Sequence, residues 1–113
     1  MAGKTFRVDV YYLGVTDPIR ANAYHNTTLV KARARAIRDY GSMLKSGSTE
    51  VRIQETVYDR PMMLKGPETY IRFNLVTGKF YCRSYRDDGH IHMTEHNLNK
   101  DGTLGTIIKK ERY

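Results

Sequence analysis

Along residues 5–13 the side chains alternate: Phe6, Val8, Val10 and Tyr12 share one side, and Thr5, Arg7, Asp9 and Tyr11 share the other. A period of two places this stretch in a strand with one buried face. Gly14 to Asn26 shows no such period, and Asp17-Pro18 marks a turn, so the segment reads as a loop. Asn26, Thr27 and Thr28 are good helix N-caps. From Leu29 the period lengthens to that of a helix, with Leu29, Ala32, Ala36, Tyr40 and Met43 in one stripe and Ile37 and Leu44 beside it. Gly41 or Gly47 can end the helix. Arg33 falls inside the apolar stripe, where it either snorkels past the core edge or pairs with an inward-pointing carboxylate; Glu55 is the natural candidate because it has the strand parity of Val51, Ile53 and Val57.

The rest of the chain returns to a period of two. Val51, Ile53 and Val57 alternate with Arg52, Gln54, Thr56 and Tyr58; Ile71, Phe73 and Leu75 alternate with Tyr70, Arg72 and Asn74. Thr77-Gly78 reads as a hairpin turn before Phe80 and Cys82, which alternate with Tyr81, Arg83 and Tyr85. Asp87-Asp88-Gly89 and the segment from Asn99 to Gly102 are further turns, leading to strands at His90–Leu98 and Thr103–Glu111. Short turns imply antiparallel pairing. The expected fold is α+β: one α-helix packed on a four- to six-stranded antiparallel sheet, in the order β-α-β-β-β-β, forming a single compact domain over residues 1–113.

With a single helix, one sheet face is dry and the other wet. The residues opposite the apolar sets are Arg7, Tyr11, Arg52, Tyr58, Tyr70, Arg72, Tyr81, Arg83 and Tyr85. Aromatic rings stack on bases, and guanidinium groups bind phosphate bidentately and stack on rings. Tyr and Arg also stabilise any solvent-facing sheet through cross-strand pairs, and tyrosines are enriched where proteins meet proteins. Lys31, Arg35 and Arg38 form a second basic surface on the helix.

Charge sharpens this picture. Nineteen Lys and Arg against twelve Asp and Glu give a net charge of +7, spread along the chain rather than held in a tail. Such a balance favours acidic partners. Cys82 stands alone, so no internal disulfide forms. No apolar run is long enough to span a bilayer, and the expectation is a cytoplasmic protein with no membrane partner and no cofactor.

Other motifs carry less. His90-Ile91-His92 resembles the His-x-His pair of the cupin family, but Glu95 has the opposite parity and no second motif follows, so no metal is expected. Asn97 to Leu104 resembles the start of an EF-hand loop, yet its twelfth position is Ile108, and it reads as a turn. His25-Asn26-Thr27 and His92-Met93-Thr94 resemble the paired His-x-Thr triplets of the two-histidine phosphoesterase family. That resemblance covers six residues and implies a small phosphodiesterase with His25 and His92 as acid and base and Thr27 and Thr94 on the phosphate.

The expected function is a non-enzymatic binding protein that captures a phosphate-bearing ligand, single-stranded nucleic acid or a nucleotide, on the Tyr/Arg face. The alternatives are a small inhibitor or adaptor docking on an acidic protein surface, in the style of phage accessory proteins, and the phosphodiesterase.

Overall fold

The computed structural model describes the backbone of residues 3–57, 60–85, 91–98 and 104–112, with side chains at 3–57, 63–66, 68–84 and 91–94. Its elements are β1 (Lys4–Tyr12), β2 (Arg20–Thr27), α1 (Leu29–Leu44), β3 (Thr49–Val57), β4 (Arg60–Asn74), β5 (Lys79–Tyr85), β6 (Ile91–Leu98) and β7 (Leu104–Arg112). The strands form one antiparallel sheet in the order β2-β1-β3-β4-β5-β6-β7. One helix on an antiparallel sheet is what the patterning predicts; among the described residues the strands number seven rather than four to six, and two of them precede the helix, so the order is β-β-α-β-β-β-β-β rather than β-α-β-β-β-β.

The additional strand is β2, in the segment read as a loop. Its two helix-facing side chains are polar-tipped, so no apolar alternation marks it. Tyr24 is buried and its hydroxyl donates to Asp39 of α1 at 2.9 Å, while the Asn22 amide donates to the Tyr40 hydroxyl at 2.7 Å. Strand β4 is also longer than its pattern, because Pro61, Gly66 and Pro67 disguise its first half. Pairing with β3 slips between Ile53↔Thr69 and Glu55↔Lys65, a bulge that holds Gly66 at φ 72°.

Helix α1 begins at Thr28, whose side chain accepts from the Lys31 N–H at 3.3 Å. Asn26 and Thr27 belong instead to β2; Asn26 sits at φ 57° and its side chain accepts from the Gly3 N–H. The helix runs through Gly41 and stops at Leu44, followed by Gly47 at φ 79°.

The core lies between α1 and one sheet face. Ala32, Ala36, Ile37, Tyr40 and Leu44 pack on Phe6, Val8, Val10, Val51, Ile53, Ile71, Phe80 and Cys82. Two positions at the ends of the alternating runs escape it: Tyr12 and Leu75 are 48% and 65% exposed. The helix packs mainly on β3 and also touches β2 and β7, the two edges of the sheet. The twisted sheet therefore curves around the helix, and its outer face is convex.

Arg33 on α1 and Glu55 on the helix side of the sheet do not pair. Glu55 accepts ion pairs from Lys65 at 2.9 Å and Lys4 at 3.4 Å. The Arg33 guanidinium reaches the Cys82 thiol across the core, and its buried Nε has no hydrogen-bond partner among the described residues. Burial pushes the Cys82 thiol up to about 11, against the pull of Arg33, which keeps the sulfur protonated and inert.

Candidate functional site

Strands β1, β3, β4 and β5 carry the convex face. Their register aligns Asp9, Arg52, Tyr70 and Arg83 in one row and Arg72 with Tyr81 in the next. The side chains interleave. The Arg52 guanidinium lies 4.0 Å from the Tyr11 ring centroid and 5.4 Å from that of Tyr70, and Arg83 lies 5.4 Å from Tyr70. Tyr11, Arg52, Tyr70 and Arg83 thus form an alternating ladder across four strands.

Carboxylates hold this layer from within the sheet surface. Glu50 is only 2% exposed although it faces outward, and its two oxygens accept from the Nε–H of Arg52 at 2.8 Å and of Arg72 at 2.7 Å. Asp9 is buried as well and accepts from Arg7 Nε–H at 2.9 Å, with its other oxygen lacking a hydrogen-bond partner among the described residues. Tyr70 donates its hydroxyl to Glu68 at 2.9 Å, and Tyr81 shares a side-chain hydrogen bond with Arg72.

The electrostatics follow from these contacts. Burial lowers the pKa of Arg52 and Arg72, and the Glu50 hydrogen bonds more than reverse it, so both guanidiniums are held above the usual value. Burial raises the Tyr11 phenol, and the neighbouring Asp9 charge raises it further. At neutral pH the face therefore presents fixed cations and neutral phenols, with Asp9, Glu50 and Glu68 set among the arginines.

Seven of the nine expected face residues meet here: Arg7, Tyr11, Arg52, Tyr70, Arg72, Tyr81 and Arg83. Tyr58 and the Tyr85 side chain lie outside the described residues. The binding set expected from the pattern leaves out the acids, although Asp9 shares the outer parity of Arg7 and Tyr11, and Glu50 directly precedes Val51.

No family model, curated protein or solved structure matches this chain. Function rests on the residues themselves.

The remaining candidates are dispersed. On the helix, Lys31 is exposed, Arg35 stacks 4.1 Å from the Tyr24 ring, and Arg35 and Arg38 share Asp39 at 3.6 and 3.8 Å. His25 and Thr27 lie on β2, where His25 Nδ1 is 3.3 Å from Thr5 Oγ1. His92 and Thr94 lie on β6 opposite Ser84 and Cys82, with β1, β3, β4 and β5 between the two triplets in the sheet. His90 and the His96 side chain are outside the described residues.

Two open hollows of about 400 and 420 Å³ share Gly3, Lys4, Glu55 and Lys65 near the start of α1. No residue of the Tyr/Arg ladder lines either one.

Proposed function

We propose that this chain is a non-enzymatic binding protein whose convex Tyr/Arg face takes an extended phosphate-bearing ligand, single-stranded nucleic acid first. The observation that supports it is the Tyr11–Arg52–Tyr70–Arg83 ladder anchored from beneath by Glu50. A guanidinium stacked on a ring and tied at Nε is already ordered, so binding sacrifices less side-chain entropy. The convex shape favours a strand laid across the face over a free nucleotide, because small ligands are held by concave sites that surround them.

A second reading is an adaptor or inhibitor that docks on an acidic protein surface. The carboxylates Asp9, Glu50 and Glu68 favour it, since a face of mixed sign suits a protein surface better than a row of phosphates.

Fluorescence anisotropy of short labelled single-stranded RNA and DNA, at low and moderate salt, separates the two. Nucleic-acid binding falls steeply with salt in proportion to the phosphates contacted. The nucleic-acid reading expects salt-sensitive binding weakened by Arg72→Ala and by Tyr81→Ala. Absent binding, or binding indifferent to both substitutions, removes it in favour of a protein partner.

A further inference from the structure

Two turns at one end of the sheet carry large aliphatic side chains where turns ordinarily carry polar residues and glycine. The β4–β5 turn opens with Leu75 and Val76, which are 65% and 94% exposed, and the β1–β2 loop holds Leu13 and Val15, 40% and 47% exposed. Register places both at the same end, because Tyr12 pairs with Thr49 and Asn74 pairs with Lys79. The loop after α1 bridges them: Leu13 N–H donates to Ser48 O at 3.0 Å, and Leu75 Cδ1 sits against the Gly47 backbone. Exposed Tyr12 belongs to the same tip. Lys45, Lys79 and Arg20 flank it, against Asp17 as the acid of these loops.

We propose that this tip is a peripheral contact site for an anionic lipid surface, with Val76, Leu75, Leu13 and Val15 entering the interfacial layer and the basic flank facing acidic headgroups. Charge complementarity chooses the occupant: apolar side chains at a protruding end, with basic residues around them, match a negatively charged leaflet. Among the described residues no helix is long and apolar enough to cross a membrane, and the sequence expectation of no membrane partner rests on that same length criterion. Contact through loop tips requires no span. The tip lies at the end of the strands rather than on the convex face, so the two surfaces can be tested separately.

The experiment is vesicle co-sedimentation of the whole chain, with phosphatidylcholine alone against phosphatidylcholine containing about a third phosphatidylserine. The expected result is partitioning that rises at least ~10-fold with phosphatidylserine, falls with salt, and drops at least ~10-fold in Val76→Asp. Val76 is almost fully exposed, so that substitution leaves the fold intact; unchanged circular dichroism and oligonucleotide binding confirm it. A charge-reversed Lys45→Glu, Lys79→Glu variant loses the phosphatidylserine preference. Wild-type protein that stays in the supernatant with both vesicles, or Val76→Asp that sediments like wild type, overturns the proposal. So does a wild-type dimer that Val76→Asp turns into a monomer, which assigns the tip to a second copy of this chain.

Discussion

Arg52 stacks 4.0 Å from the Tyr11 ring while its Nε–H donates to Glu50 at 2.8 Å, so one guanidinium joins a half-buried aromatic layer to a buried carboxylate. Arg72 reaches the other Glu50 oxygen at 2.7 Å. The outer face is thus organised around an acid that solvent scarcely touches.

Removing that acid's charge should be costly. Glu50→Gln leaves two half-buried cations without their counter-charge, and breaking a buried pair in this way costs about 3 kcal/mol. Urea denaturation is expected to show a lowered midpoint with unchanged slope. Glu50→Gln with Arg72→Gln should cost less than the two changes summed, with a coupling of about 1–2 kcal/mol in a double-mutant cycle.

The two inner glycines of the α1 region should respond in opposite directions to alanine. Gly41 lies in the helix interior, and a Cβ there meets Phe80 Cζ at 3.7 Å, an ordinary contact. Gly41→Ala is expected to stabilise by about 0.5–1 kcal/mol. Gly47 sits at φ 79°, and its Cβ would fall 2.5 Å from Leu75 Cδ1. Gly47→Ala should destabilise by about 1–2 kcal/mol. Leu75 is largely exposed and can move, so a Leu75→Ala background should recover little of that loss in thermal or urea unfolding.

Tyr24 predicts an alkaline signature. Burial, then the hydrogen bond and charge of Asp39, raise its pKa well above that of a free phenol. A folded pKa above the unfolded one stabilises the protein fully below about pH 10, and the contribution is lost as pH rises through the folded value. Tyr24→Phe should cost about 1 kcal/mol at neutral pH through the lost hydrogen bond. The stability gap between wild type and Tyr24→Phe should narrow above about pH 10 in urea midpoints measured across that range.

Acid should act through Glu55. Its burial raises the carboxyl pKa, but the hydrogen bonds and charges of Lys65 and Lys4 outweigh this and hold it below the usual value. The stabilisation is present above the unfolded carboxyl pKa and lost as pH falls through the folded one. Glu55→Gln should therefore lower stability at neutral pH and remove part of the loss below about pH 4, read as the difference in urea midpoint between variant and wild type.

Where the pattern has a clear period, the fold is legible. Helix α1 and the buried sides of β1, β3 and β5 follow from apolar spacing, and seven residues of the Tyr/Arg face follow from parity. β2 is invisible for a physical reason: it is an edge strand that buries Tyr24 alone, and Asn22 and Tyr24 reach the helix by hydrogen bonds, so no apolar alternation is needed. Arg33 shows the same limit, since its stripe position says that it points inward but not that Cys82 receives it.

The sequence by itself determined one helix on an antiparallel sheet, the helix-facing apolar residues of β1, β3 and β5, and a basic Tyr/Arg surface on the other side. Those properties depend on local period, and local period is carried by neighbouring residues. Only the tertiary structure decided the curl of the sheet around α1, the partnership of Glu50 with Arg52 and Arg72, and the placing of Leu13 and Leu75 on either side of the loop after α1 at one end of the sheet. Each joins elements distant in the chain, through backbone register and twist that no short window of sequence contains.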